Sequence, residues 1–280
     1  MDRRGRGVTA GGPGLAGAEP PPADSGGFTV DAFHFGRFHL VQPADAGHRA
    51  GMDAMLLAAT VPDDARGHLA DLGAGAGGAG LAAASRVPAL AVTLVERSPV
   101  MAAYARRSLA LPENAGLAGR ASVIEADVGL AGAARRAAGL ADHAYDHVIM
   151  NPPFNEGRDR RTPDALKAEA HAMEHDDLFE RWLRTAAAIL RPGGQVSVIA
   201  RPQSLEALLA AFKGRFGGVE VTPVQPRAAD DAIRILVTAL KGSRARLQLR
   251  PAIVIHAAEG RDFSPVMADL SNGRAAWPRR

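Results

Sequence analysis

Cysteine is missing from this chain of 280 residues, which excludes disulfides, thiolate metal sites and a cysteine nucleophile. The same absence agrees with a reducing compartment, and the cytoplasm is the expected location. Long apolar runs are missing too. The alanine-rich stretches are broken by Arg, Asp and Gly well before the ~20 apolar residues that a membrane span needs, so a membrane partner is not expected. An excess of one charge is nearly missing: 33 basic against 30 acidic residues leave a formal charge of +3, which permits a polyanionic partner without demanding one. Histidines are present, but His34, His39, His147 and His171 lack the spacing of a ligand cluster or a catalytic pair, and no metal is expected. What remains is ample apolar content, 47% of residues, enough to bury a large core.

Residues 1–27 are rich in Gly, Pro, Ala and Arg without the apolar segment of a signal peptide, and read as a disordered, uncleaved extension. Residues 28–38, FTVDAFHFGRF, hold four of the nine phenylalanines and suggest a short β lid or hairpin with one apolar face. Residues 52–60, MDAMLLAAT, read as a short helix, completing an N-terminal lid over 28–60. Apolar runs near 69–72, 91–96, 121–126, 145–150 and 194–200 are strand-like. Segments 79–86, 99–111 and 164–190 carry helical spacing. Strand and helix in alternation predict a mostly parallel, doubly wound sheet, with ligands held at the carboxyl ends of its strands. Leu190-Arg191-Pro192-Gly193-Gly194 ends a helix ahead of a strand at 195–200. Two more strands are expected at 231–240 and 246–256 around the basic turn Lys241-Gly242-Ser243-Arg244. The domain is expected to span 28–270, with 271–280 as a tail.

The segment Asp71-Leu72-Gly73-Ala74-Gly75-Ala76-Gly77-Gly78 stands where the first strand of the sheet turns into its helix. Glycine there allows positive φ and close approach of a ligand to the backbone. Gly73, Gly75 and Gly78 also fit the dinucleotide pattern G-x-G-x-x-G, with Glu96 about 20 residues on. Asp71 argues against a pyrophosphate, which its carboxylate would repel, and for the ammonium end of an amino acid such as that of S-adenosylmethionine. The plainer reading is a turn that only lets helix and sheet pack closely. Glu96, closing its strand, is expected at both hydroxyls of a ribose, and Asp127 at the amine of the cofactor's adenine.

Asn151-Pro152-Pro153-Phe154 follows the strand-like run 145–150 directly. The prolines fix an extended backbone whose carbonyls must find donors elsewhere. The Asn151 side-chain oxygen and the Pro152 carbonyl can each accept one N–H of a planar amino group, raising electron density on a nitrogen whose lone pair is otherwise delocalised, while Phe154 stacks on the flat acceptor. A proline-rich turn ending a strand explains the tetrapeptide as well; its place on the glycine-loop edge favours the chemical reading. Arg158, Arg160, Arg161 and Lys167 follow it and, with Lys241, Arg244, Arg246 and Arg250, are candidates for RNA phosphates, although solvated loop charge is the commoner meaning of such runs.

As a set, these motifs resemble the amino-methylating branch of the class I S-adenosylmethionine methyltransferases. The resemblance is nearest to the bacterial family that methylates the exocyclic N6 of the adenine beside the anticodon of a valine tRNA. It covers about 28–270: the aromatic lead-in, Gly51-Met52-Asp53-Ala54, the glycine loop, Val95-Glu96-Arg97, Ala126-Asp127-Val128, the Asn-Pro-Pro-Phe tetrapeptide, the Pro192-Gly193-Gly194 turn and Phe263 to Leu270. It implies a Rossmann-like, seven-stranded sheet with a reversed final strand. It also implies S-adenosylmethionine contacts at Gly51, Asp53, Asp71, Gly73, Gly75, Gly77, Glu96 and Asp127, with tRNA as the partner. Phe154 departs from the tyrosine frequent in that family, keeping stacking and losing a hydroxyl. Three alternatives stay open. A protein glutamine methyltransferase would use the same Asn-Pro-Pro logic, but typically with a helical N-terminal domain for which too few residues precede the sheet. A non-catalytic cofactor- or RNA-binding protein on this fold is the second. The third, a nicotinamide oxidoreductase, needs a hydride-transfer site that the sequence does not offer.

Overall fold

A computed structural model describes residues 27–44, 49–153 and 165–280, with only the helical backbone of 165–176. The chain begins with an antiparallel hairpin, β1 (Phe28–Phe33) and β2 (Phe38–Pro43). Its apolar alternation is the reverse of a simple lid: Phe28 and Val30 face out, and the buried face comes from Phe38 and Leu40 of β2. Helix α1 (Met52–Ala59) follows. Then come β3 (Gly67–Leu72), α2 (Gly78–Arg86), β4 (Leu90–Glu96), α3 (Pro99–Leu109), α4 (Ala115–Ala118), β5 (Ala121–Glu125), α5 (Gly132–Ala137) and β6 (Tyr145–Met150). The second half is α6 (Ala165–Ile189), β7 (Leu190–Ala200), α7 (Leu205–Phe212), β8 (Phe216–Gln225), β9 (Arg234–Lys241), the two-residue β10 (Gln248–Leu249) and β11 (Ile253–Val254), and α8 (Pro265–Ser271).

The sheet runs β10-β8-β9-β7-β6-β3-β4-β5, with β11 on the end of β8. Every pairing is parallel except those of β9, which lies antiparallel between β7 and β8. Seven long strands with a reversed last one match the expected core; β10 and β11 extend the ladder to nine strands. Expectation and structure part at the C-terminal edge. The stretch 246–256 is not one strand, because Pro251, which cannot donate to a ladder, separates β10 from β11. Strand β8 was unread in the sequence, hidden by Gly217-Gly218 and Pro223; a register shift between Gly217 and Glu220 absorbs the glycines. Residues 274–280 are tied back to the domain by hydrogen bonds. Trp277 donates its amide to the Ala59 carbonyl at 2.7 Å, and Arg279 reaches the Gly218 carbonyl at 2.5 Å.

Helices cover both faces, as a parallel sheet requires. On one side α1, α2, α8 and β2 share a core with Leu69, Leu94 and Ile149. Helix α2, GAGLAAASR, is buried from Gly78 to Ala84, Leu81 its one large side chain among small ones, because it is enclosed by the sheet, α1 and the hairpin. On the other side α6 presents Phe179, Trp182, Leu183 and Ala186, the i, i+3, i+4, i+7 stripe of a helix with one buried face. No helix among the described residues is long and apolar enough to cross a membrane.

Candidate active site

Register places the sequence motifs in one row. Leu72 pairs with Val95 on one side and with Met150 on the other, and Glu96 pairs with Glu125. The residues that follow, Gly73, Ala126-Asp127 and Asn151, therefore leave neighbouring strands on the same carboxyl edge as Glu96, about 5 Å apart from strand to strand.

The glycine loop is built by hydrogen bonds to β4. The amides of Gly73 and Ala74 both donate to the Val95 carbonyl, at 2.8 and 3.0 Å. Glu96, 9% exposed, accepts from the Gly75 amide through Oε2 at 2.9 Å and from the Ser98 amide through Oε1 at 2.8 Å. Each carboxylate oxygen keeps further lone-pair capacity. Two glycines of the loop serve different ends. Gly73, at φ +75°, lies under the Trp182 indole, which a Cβ would strike; Gly75, at φ +58°, has only Met101 Cε at 3.7 Å and faces open space. Gly77, at φ +95°, caps α2 against Leu94.

Asp71 is 3% exposed beneath the loop, and its Oδ2 accepts the Gly80 amide of α2 at 2.8 Å. Burial pushes its carboxyl up to about 7, the Gly80 bond opposing the shift and the nearby Glu96 charge adding to it. One oxygen of the residue expected at an ammonium is thus committed to the helix N-terminus. Asp127 is exposed, with Oδ1 accepting the Gly129 amide at 2.6 Å in an Asx turn.

Gly51 precedes α1, extended, with nothing within 4 Å of where a Cβ would stand. Asp53 in the first turn of α1 accepts from Arg234 Nε at 2.9 Å through Oδ2, while its Oδ1 is buried without a hydrogen-bond partner among the described residues. The segment between hairpin and α1 is strapped down: the buried Gln42 takes the Ala50 amide at 2.6 Å and donates to Asp31 at 2.8 Å. Ala50 in turn packs on Gly78. Across the row, Asn151 Oδ1 is likewise buried without a hydrogen-bond partner among the described residues, followed by the buried Pro152 and exposed Pro153. Phe154, Arg158, Arg160 and Arg161 lie outside the described residues, and Lys167 stands on the backbone of α6 with its side chain outside them. Trp182 and Arg234 gave no signal in the sequence, Arg234 because its partner is 181 residues away. Among the described residues no group of three or more His, Asp or Glu is gathered to hold a metal.

Residues 48–225 match the family model of the methyltransferase small domain. The chain belongs to that family. This methyltransferase uses S-adenosylmethionine and carries the mostly parallel sheet of its class. It is 31% identical over 176 residues, 62% of this chain and 68% of the relative, to the tRNA1(Val) (adenine(37)-N6)-methyltransferase of a Shewanella species. A solved structure described as a predicted O-methyltransferase, from Agrobacterium tumefaciens, is 50% identical at a TM-score of 0.71, covering 81% of this chain and 99% of that one. The M. jannaschii protein TYW2, solved with AdoMet, shares the fold at 12% identity and a TM-score of 0.52, over 76% of this chain and 85% of its own.

Proposed function

We propose that this methyltransferase transfers a methyl group to the exocyclic N6 amine of an adenine in RNA, with tRNA as the substrate class and the cytoplasm as its place of work. The observation that carries the reading is the Oδ1 of Asn151 at the carboxyl end of β6, buried and without a hydrogen-bond partner among the described residues. A buried oxygen without a donor is costly, on the order of 1–3 kcal/mol, and a substrate N–H supplies that donor. The tRNA-modifying relative supports the choice of acceptor.

S-adenosylmethionine supplies an electrophilic methyl on a sulfonium. The residues of the row fit such a donor. Gly75 leaves room for close approach, Glu96 has lone pairs to spare for a ribose diol, and Asp127 stands at the next strand end for an adenine amine. Gly51, Asp53, Asp71, Gly73 and Gly77 line or shape the same loop. Asn151 Oδ1 and the Pro152 carbonyl each take one N–H of the acceptor, holding its nitrogen pyramidal with the lone pair aimed at the methyl carbon. Pro152 has no amide hydrogen to compete, Pro153 keeps the backbone extended, and Phe154 stacks on the base. The amine's spare proton leaves after transfer, so no general base is needed. Arg158, Arg160, Arg161 and Lys167 are placed in sequence to meet the phosphates of the same RNA.

An oxygen acceptor is the reading that the A. tumefaciens description raises. A hydroxyl brings one hydrogen to two acceptors, so it leaves one of them unpaired, and an amine satisfies both. Asn151→Ala tests the role. Methyl transfer to RNA should fall roughly 10²–10³-fold, the size of losing one positioned group in the transition state, with donor affinity unchanged. Retained turnover would sink it.

A further inference from the structure

We infer that Arg234 is a positioning residue for the methyl-donor site, acting through Asp53. The inference rests on the donor reading above and adds a residue from the far end of the chain to it. Strand β8 runs parallel to β7 and β9 returns antiparallel, so the β8–β9 loop and Arg234 at the start of β9 lie on the same carboxyl edge as Gly73 and Asn151. From there Arg234 Nε donates to Asp53 Oδ2 at 2.9 Å, and Nη1 donates to the carbonyl of its neighbour Ile233 at 2.8 Å. The guanidinium is therefore held through two of its nitrogens, and its charge-assisted bond to Oδ2 restrains the rotation of the carboxylate that it meets.

What that rotation sets is the direction of Oδ1. This atom is buried and has no hydrogen-bond partner among the described residues, in the first turn of α1, beside Gly51 with its open space and Ala50 against Gly78 of the glycine loop. A surface ion pair between a helix and a strand end is the simpler account of Arg234 and Asp53, but it leaves the other oxygen without a role. The side chains of both residues are about three-quarters shielded or more, at 24% and 21% exposure, which limits solvent as the missing donor. The bond of Arg234 to Asp53 thus ties the start of β9 to the donor site, so that Asp53 meets an N–H or O–H of the donor without first ordering itself.

Calorimetry with S-adenosylhomocysteine reads this without any acceptor. Arg234→Gln should weaken binding about tenfold, the size expected of misplacing one charged hydrogen bond. In turnover the loss should appear in KM for the donor, with kcat within about twofold. Arg234→Lys, which keeps a cation near Oδ2, should recover part of the loss. Combined with Asp53→Asn, Arg234→Gln should add nothing further, as required of two residues acting on one contact. Unchanged affinity in Arg234→Gln, with only the melting temperature lowered, would show a purely structural tie and overturn the inference; additive losses in the double variant would do the same. Should the unaltered protein bind neither S-adenosylmethionine nor S-adenosylhomocysteine, the donor reading itself fails, and this inference with it.

Discussion

Asp71 and the two glycines of differing purpose separate what shapes the site from what fills it. An alanine at Gly75 meets only Met101 Cε at 3.7 Å, so its cost is the left-handed backbone, roughly 1–2 kcal/mol. Gly75→Ala should fold, melt a few degrees lower and lose donor binding, because the methyl group occupies space meant for the ligand. Gly73→Ala should instead fail in thermal stability first, since its Cβ strikes the Trp182 ring; thermal melts alongside calorimetry distinguish the two. Asp71 adds a pH signature. Its folded carboxyl is raised to about 7 from an ordinary 3.8, so between those values the folded state holds the proton more tightly, and stability falls as pH rises through that window. Asp71→Asn keeps an acceptor for Gly80 and removes the buried charge. The variant should out-melt the parent protein at pH 8, with the gap narrowing as pH falls towards 4.

The elements show why some of this was legible and some was not. Strands β3, β4 and β6 announce themselves as largely apolar runs followed by or ending in Gly, Glu or Asn, because the buried stretch of a central strand is apolar and its chemistry can begin only where it ends. Strand β8 escaped because a bulge lets Gly217-Gly218 sit within it, and a local pattern does not foretell which breakers a partner strand will accommodate. The hairpin was legible as a hairpin, but its attachments were not. They depend on residues far apart: His34 on Ser85 of α2 at 2.8 Å, and Gln42 on the Ala50 amide. Gln42→Ala should leave that amide unpaired at a cost of about 1–3 kcal/mol in denaturant unfolding, and should weaken donor binding by freeing the strap over Gly78. His34 is held neutral by burial, with Arg37 and Arg86 assisting, down to about 4. Its contribution is complete above pH 6.5 and is lost as pH falls towards 4, the opposite sign to Asp71 in the same window. A His34→Gln variant should therefore flatten the acid limb of the stability curve.

For the whole molecule, the row of strand ends brings the glycine loop and Asn151-Pro152-Pro153 to one edge, while chain segments as remote as Asp53 and Arg234 are joined there by a single ion pair. Such long-range pairing is what one sequence conceals, since nothing near either residue marks its partner. The net charge of +3 is modest, so RNA affinity must come from local arginines; binding should weaken steeply with added salt, as counterion release requires, and a flat salt response would point to a protein or small-molecule acceptor. The most direct test of the central claim is transfer from labelled S-adenosylmethionine to total tRNA, total rRNA and total protein, followed by nucleoside analysis. Label recovered as N6-methyladenosine from tRNA, and lost in Asn151→Ala, is the predicted result. Label in protein, or on an oxygen, or an undiminished signal in the variant, would contradict it.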